Sequence, residues 1–362
     1  MKTRLYLCIA APIALVASAC SGSSKAVTTT TKPSTSTTLA TTTSSTTTTT
    51  SVTTTTVKPD GPVWPLTGVP VTFVEMNITG RPAVVAKISN DSCARPQVGL
   101  SQADVITEEI AEGDITRFFA AFHSKDPGAI GPIRSGRGTD AQYLEMFNRP
   151  VLAWSGGNPS VHEIIRNTNV QDRSAESSFG GMYYRSGSRC NSNTEFVKVS
   201  DEWASAEKDS KAPHAIFDFV KQGVTAPEGS GALPVPDVQV TVGENTLTYK
   251  FDRSINKYKR YKSNGSVHED EAGNPIAPTN VVVAFTTYTP AVYYPVSPEA
   301  HGVGSGEVWV LSGGSVIHGS WTRASVSDTW HLTDPKGGVI KLLPGQTIVE
   351  LAKGNSVQLL GS

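Results

Sequence analysis

The sequence predicts an α+β fold, with a layered mixed sheet and helices in the first region and a mostly antiparallel β second region. Between residues 81 and 167, apolar runs typical of buried strands alternate with segments that have helical apolar spacing. Beyond residue 237, apolar and polar residues alternate and hairpin turns recur. The stretch "APEGSGALPVP" (226–236) separates these two sequence patterns and has the composition of a linker. We therefore place a boundary near residue 230.

The chain begins with the features of an export signal. "MKTR" is basic, and residues 5–19 are apolar but too short to cross a bilayer comfortably. Cys20 follows Ala-Ser-Ala, so residues 1–20 resemble a signal peptide with a lipobox-like end, after which Cys20 would be lipidated. The same three residues also fit cleavage by an ordinary signal peptidase. Both alternatives predict an extracytoplasmic protein, and the first predicts attachment to the cell membrane through a lipid on Cys20.

Residues 21–60 are expected to form a disordered tether. Thr and Ser dominate the segment, and such a composition cannot bury enough apolar surface to offset the entropy of ordering the chain. The tether would lift the following residues off the membrane and could carry O-linked glycans. Stretched at ~3.3 Å per residue, its Thr-rich part would reach on the order of 100 Å.

The first ordered region, residues 61–228, is predicted to combine strands with helices. β-branched and aromatic residues mark the strands, whereas residues 103–111 fit either a strand or a short helix. The first helix shows apolar spacing of i, i+3, i+4, and Ser160 is expected to cap the second, with Glu163 three residues later. The predicted strands are 81–89, 115–124 and 150–157, and the predicted helices are 139–148, 159–167 and the end of 194–208.

The second region, residues 237–354, is predicted to be mostly antiparallel sheet. Apolar and polar residues alternate along its strands, as expected when one face is buried and the other meets solvent. Turn residues separate the strands at short intervals. The clearest strand sequences are "VQVTVGENTLTYKF", "NVVVAFTTY", "GEVWVLSGGSVIHGSW" and "TIVELAK".

Composition and motifs argue against several classes of function. The formal net charge is −1 and no stretch is polybasic, so nothing predicts a nucleic-acid partner. The sequence has no glycine-rich dinucleotide fingerprint and no histidine spacing such as H-E-x-x-H. We therefore predict neither a cofactor nor a metal. A Gly-x-Ser-x-Gly nucleophile elbow is also missing from the sequence.

Two cysteines remain once Cys8 is assigned to the signal and Cys20 to the anchor. In an oxidising compartment Cys93 and Cys190 could form a disulfide. The alternative is a pair of buried free thiols, because sequence alone does not give their separation in space.

The stretch "GPIRSGR" (131–137) matches only part of the sequence pattern of a phosphate-binding loop. Gly131 and Gly136 have the required spacing, but Arg137 replaces the lysine and a glycine replaces the hydroxyl that binds Mg²⁺. In one interpretation, Arg134 and Arg137 hold an anion beside the start of the following helix. In the other, this is a structural loop whose arginines pair with nearby carboxylates. The candidate carboxylates are Glu108, Glu109, Glu112 and Asp114.

Other polar residues could join this loop if the strands that carry them adjoin. Four arginines would then converge on one cleft, which would call for acidic neighbours or an acidic ligand; a dispersed, solvated set is the alternative. His214, in "KAPHAIF", is a candidate general base, or else a packed or hydrogen-bonding histidine. The candidate ligand-binding residues are Arg95, Arg117, Arg134, Ser135, Arg137 and His214.

Several of these motifs recur together in a known family. The ordered series "RPAVVAKISNDSCARPQVGLSQADVITEEIAEGDITRFFAAFHS", "IGPIRSGR", "KAPHAIF" and "NVVVAF…GSGEVWVLSGGSVIHGSWTR…PGQTIVEL" resembles the DUF3048 family, the YerB-like lipoproteins of Gram-positive bacteria. The resemblance covers most of residues 64–352. It implies an extracytoplasmic, usually lipid-anchored protein of layered α+β architecture with two regions, and it implies no settled activity.

The family pattern can be followed residue by residue. Gly136 stands where the family usually has Ala, which weakens the nucleotide interpretation, and Ala215 stands where Asn often follows the His, which weakens a polar role beside His214. The matched positions are Arg95-Pro96-Gln97, Gly99-Leu100-Ser101, Thr116-Arg117, Gly131 to Ser135, Arg137, and Ala212 to His214.

Three classes of function follow from these observations. The favoured hypothesis is a membrane-anchored cell-envelope lipoprotein that binds an anionic ligand, such as a wall polymer or an acidic segment of an envelope protein. The second is an envelope hydrolase that uses His214 with a carboxylate such as Asp104 or Glu112. The third is a non-catalytic scaffold whose sheet-rich second region docks to a membrane complex.

Overall fold

The computed structural model describes residues 61–234 and 237–360, which belong to one compact unit. The predicted signal peptide with Cys20 and the predicted tether (21–60) lie outside the described residues. Within the described part of the chain, no helix is long and apolar enough to cross a membrane.

The strands and helices follow the predicted alternation closely in the first region, and residues 103–111 form a strand. The strands up to residue 234 are β1 (Val84–Ser89), β2 (Val105–Ile110), β3 (Thr116–Phe122), β4 (Ala129–Ile130), β5 (Val151–Ala153), β6 (Gln171–Asp172), β7 (Tyr184–Arg185), β8 (Glu195–Lys198) and β9 (Leu233–Pro234). The helices are α1 (Gly138–Tyr143), α2 (Pro159–Arg166) and α3 (Val199–Ala204), and a 3-10 turn, Leu144–Phe147, extends α1.

The second region consists of strands and turns. The strands are β10 (Asp237–Val242), β11 (Asn245–Asp252), β12 (Lys257–Tyr261), β13 (Asn280–Phe285), β14 (Tyr288–Ala291), β15 (Tyr294–Ala300), β16 (Gly304–Ser312), β17 (Ser315–Arg323), β18 (His331–Thr333), β19 (Thr347–Ala352) and β20 (Val357–Leu360).

A mixed sheet of eleven strands forms the centre of the fold. Its strand order is β18-β17-β16-β13-β19-β2-β3-β1-β5-β6, and β9 pairs with β17 beside this path. The pairs β13–β19, β19–β2, β1–β5 and β5–β6 are parallel, and the remaining pairs are antiparallel. These strands agree with the predicted α+β class and with the mostly antiparallel second region. Because β19 pairs with β2, both predicted regions contribute strands to this one sheet.

Two apolar clusters lie on the two faces of the central sheet. One joins Ile88 and Phe118 of the sheet to Val240 and Tyr249 of a four-stranded sheet with the order β12-β11-β10-β20. The other gathers Phe119 with side chains from α1, α2 and the strands β16 and β17. Side chains from adjacent residues of β3 therefore enter different cores, as the strand period requires.

The cap of α2 differs from the sequence prediction. Asn158, not Ser160, caps α2, because the Asn158 Oδ1 accepts a hydrogen bond from the Ser160 N–H at 2.9 Å. Pro159 at the first helical position holds the preceding residue extended, which suits an N-cap. Arg137 precedes α1, and its N–H donates to Oδ2 of Asp140 at 2.7 Å.

Candidate ligand-binding site

A cavity of about 680 Å³ lies where the start of β3, the loop before α1, the first turns of α2 and the β14–β15 hairpin meet. Three of the predicted ligand-binding residues line it, namely Arg117, Ser135 and Arg137. These residues come from two distant segments of the chain. Their convergence depends on the position of the 131–137 loop beside the end of β1, where the Arg134 N–H donates to the Lys87 carbonyl at 2.9 Å.

Arg117 is the most unusual residue of this cavity. It lies on β3 in register with Ser89 of β1 and Glu109 of β2, and only 4% of it is exposed. Its Nε and Nη1 are buried and have no hydrogen-bond partner among the described residues. Burial, together with the positive charges of Arg137 and Arg134, lowers the pKa of Arg117 to about 10. A buried cation whose donors lack acceptors is costly to the folded state.

Arg137 is held in place by protein acceptors. Its Nε donates to Oε2 of Glu112 at 2.9 Å, its Nη2 forms an ion pair with the same oxygen, and its Nη1 donates to the Gly136 carbonyl at 2.6 Å. Although burial opposes the change, the Arg137 guanidinium lowers the pKa of the Glu112 carboxyl. The predicted pairing of this loop with a carboxylate therefore applies to Arg137, whereas Arg117 forms no ion pair among the described residues and its charge is offset only partly by the nearby Glu112 and Glu109.

Arg134 lies next to this cavity without lining it. It is half-buried, its Nε has no partner among the described residues, and its charge contributes to the lowered pKa of Arg117. Burial also lowers the pKa of Arg134 itself, against the opposing effect of Asp91. The glycine between Ser135 and Arg137 packs on Trp154, since a Cβ at Gly136 would lie 2.8 Å from the ring atom Cε3.

The structure separates Arg95 from these arginines. The Arg95 Nε donates to Oδ1 of Asn90 at 2.9 Å, and its Nη2 donates to the Asn90 carbonyl and to Oδ1 of Asn245, both at 2.8 Å. It lines a different cavity, of about 570 Å³, beside the 269–271 segment. The four arginines are therefore not gathered in one hollow, because the turn that follows β1 carries Arg95 towards the four-stranded sheet.

His214 is not brought to the cavity either. It is exposed and makes no side-chain hydrogen bond among the described residues. The carboxylates proposed as its partners are engaged elsewhere: Asp104 accepts hydrogen bonds from the N–H groups of His123 and Ser124, both at 2.7 Å, and Glu112 binds Arg137. The structure therefore does not assemble the predicted histidine–carboxylate pair.

A buried charged cluster behind Arg117 is absent from the sequence prediction. The Lys87 Nζ forms ion pairs with Glu109 and with Oδ1 of Asp140, the latter at 2.5 Å, and all three side chains are buried. Burial, reinforced by the Asp140 charge and opposed by Lys87, raises the pKa of Glu109 to about 7. Lys87 thus engages the carboxylate that lies in register with Arg117. The only sequence signal was a lysine within an otherwise apolar strand.

The β14–β15 hairpin forms the opposite wall and was also missed. Its base is fixed, since the Tyr288 hydroxyl donates to the Leu351 carbonyl at 2.8 Å and accepts from the Ile110 N–H at 3.2 Å. Its tip projects into solvent, where Val292 is 83% and Tyr293 is 72% exposed. Both tip residues border the cavity. Large apolar side chains are thus held at the cavity rim without protein packing around them.

Cys93 and Cys190 are joined in a disulfide with a Cα–Cα distance of 5.4 Å. The bond ties the turn after β1 to the segment before β8. Arg189 supports the same junction, because its Nη1 donates to the carbonyls of Ala94 and Pro96 at 2.5 and 2.7 Å. Of the two alternatives that the sequence left open, the structure contains the disulfide.

Comparison with known proteins gives matches over most of the described chain. Residues 66–213 match the "Protein of unknown function (DUF3048) N-terminal domain", and residues 237–349 match the corresponding C-terminal domain. Over 227 residues the chain is 29% identical to the "Putative lipoprotein YerB" of Bacillus subtilis (strain 168), covering 60% of this chain and 66% of that protein, just under two thirds. The fold is similar to the crystal structure of the YerB protein from Bacillus subtilis, with a TM-score of 0.71 and 22% identity over 83% of this chain and 100% of that one.

Proposed function

Because this chain belongs to the DUF3048 family, we propose that it is an exported, membrane-anchored lipoprotein of the cell envelope that binds an anionic ligand through Arg117. The name of the Bacillus relative and the Ala-Ser-Ala-Cys sequence that ends at Cys20 both support the lipid anchor. The anchor would place the described residues outside the cytoplasm, where the disulfide is stable.

The observation that carries the binding role is the pair of unpartnered, buried guanidinium nitrogens of Arg117. Arg137 adds a second guanidinium in a fixed orientation, and the Ser135 hydroxyl supplies a further donor on the cavity wall. Guanidinium groups bind carboxylates and phosphates through paired, charge-assisted hydrogen bonds. An acidic group that reached the Arg117 guanidinium from this cavity would therefore satisfy donors that have no protein partner.

Binding is better supported than hydrolysis. The residues that line the cavity include no histidine, and His214 is exposed at another place on the surface. Glu112 is neutralised by Arg137 rather than free to accept a proton. The cavity thus offers donors for an anion but lacks the predicted general base.

Thermal unfolding with inorganic phosphate, sulfate and citrate, at ionic strength matched with sodium chloride, tests this proposal. We expect at least one anion to stabilise the protein, by about 2.7 kcal/mol when its concentration is one hundred times Kd. Arg117→Met should abolish the effect, whereas Arg166→Met, an exposed position at the end of α2, should retain it. Equal stabilisation of the protein and its Arg117→Met variant by every anion would contradict the proposal.

A further inference from the structure

We propose that the ligand is a small anionic amphiphile, with a single acidic group at Arg117 and an apolar body between α2 and the tip of the β14–β15 hairpin. This inference rests on the proposed function, because Arg117 supplies the contact with the acidic group. It adds the chemical nature of the rest of the ligand, which the arginines alone do not define.

The first support is the nature of the cavity walls away from Arg117. On one side lie Val161 and Ile164 of α2, which are only partly buried. On the other side lie Val292, Tyr293 and Tyr294 of the hairpin, with 83%, 72% and 44% of their surfaces exposed. A ligand that removes these facing apolar walls from water is stabilised in proportion to the apolar surface that it buries.

The second support is the distribution of charge, which favours one acidic group over several. The charge of Arg137 is balanced by Glu112, so Arg117 is the cavity residue whose charge lacks a paired carboxylate. Glu299 adds a carboxylate on the side of α1, where a Cβ at Gly138 would lie 2.7 Å from its Oε2. A second anionic group placed near Glu299 would be repelled, which disfavours a polyphosphate or a highly charged polymer.

The third support is size. A volume of about 680 Å³ lies within the range of roughly 300–1,000 Å³ that is typical of small-molecule sites. Such sites are mostly apolar and contain a few placed polar groups that orient the ligand. The arrangement here, with arginines at the inner end and tyrosines at the rim, fits a molecule that is acidic at one end.

Competition with a fluorescent probe, dansyl-undecanoate, tests the inference on the exported chain carrying Cys20→Ser, so that neither lipid nor detergent competes. The competitors are decanoate, decyl phosphate, decanol, acetate and inorganic phosphate. We expect decanoate or decyl phosphate to bind at least tenfold more tightly than acetate, phosphate or decanol. Preference between the two amphiphiles would identify the acidic group as a carboxylate or a phosphate.

Variants separate the acidic end from the apolar end. Arg117→Met should weaken the acidic amphiphiles about tenfold or more, as expected when a charge-assisted contact is lost. Tyr293→Ser should weaken the amphiphiles several-fold and leave the binding of free anions unchanged. Val296→Ser is the matched control, because Val296 lies on the same hairpin, is 64% exposed and does not line the cavity.

The possible failures are distinguishable. If phosphate or acetate binds as tightly as its alkyl derivative, or if Tyr293→Ser has no effect on the amphiphiles, the amphiphile inference is wrong and the anion site stands. If decanol binds as well as decanoate, or Arg117→Met changes nothing, the anion site itself is wrong and both proposals fall.

Discussion

Replacement of Arg117 by methionine should make the unliganded protein more stable. Burial lowers the pKa of this guanidinium from its ordinary value to about 10, and a tenfold change in an equilibrium is worth about 1.4 kcal/mol. The charged form is therefore disfavoured in the folded state by about 3 kcal/mol. At neutral pH the group is protonated in both the folded and the unfolded state, so the whole penalty is present. This penalty begins to be relieved only as the pH rises above about 10, where the group loses its proton in the folded state first.

Methionine keeps most of the apolar stem of Arg117 and removes the charge, so we expect a gain of about 2 to 3 kcal/mol at pH 7 without ligand. In urea unfolding, this gain in the free energy of unfolding should appear as a higher midpoint concentration, with an unchanged dependence of the free energy on urea concentration. Arg166→Met should stay within about 0.5 kcal/mol of the parent protein. Destabilisation by Arg117→Met of more than about 1 kcal/mol would refute the reasoning, because it would mean that Arg117 already has its partners in the unliganded fold.

Three further predictions concern stability. Replacing Cys93 and Cys190, which are 97 residues apart, with serine should cost about 4 kcal/mol in urea unfolding, and adding a reductant to the parent protein should reproduce the loss. Burial raises the pKa of Glu202 from 4.5 to about 8, so the ionised form is disfavoured and stability should fall as the pH rises from 4.5 to 8. Urea midpoints of Glu202→Gln should lack this fall, and parallel pH profiles would disprove the assignment. Asn158→Ala should cost about 1 kcal/mol in thermal unfolding through loss of the α2 cap, and a larger effect of Ser160→Ala would reverse the cap assignment.

The individual strands and helices could be read from the sequence because their signals are local. The apolar runs around Val84–Ser89 and Thr116–Phe122 contain too many β-branched and aromatic residues for another interpretation. The sequence places the cap of α2 two residues too late, because Asn158 and Ser160 are both good N-cap types and only geometry distinguishes them. Local patterns therefore identify an element better than they identify its first residue.

The candidate site could be predicted only in part, because it depends on long-range pairing. The sequence marks Arg117 and Arg137 as residue types suited to anions, but the exclusion of Arg95 depends on the path of the turn after β1. The match of Glu109 with Arg117 depends on strand register, which the sequence alone does not specify. The hairpin tip at Tyr293 lies between the strand sequences that could be predicted, and nothing local indicates that it faces a cavity.

The pairing of β19 with β2 has a practical consequence for dissecting the protein. A chain divided in the stretch between β9 and β10 would leave β2 and β19 as open sheet edges, each with a row of unused backbone donors and acceptors. Such fragments would not behave as two independent proteins. We expect them to associate, because pairing of β2 with β19 would restore the backbone hydrogen bonds that each fragment lacks alone. The cavity at Arg117 takes its lining from both fragments, so ligand binding there would report that the two fragments have associated.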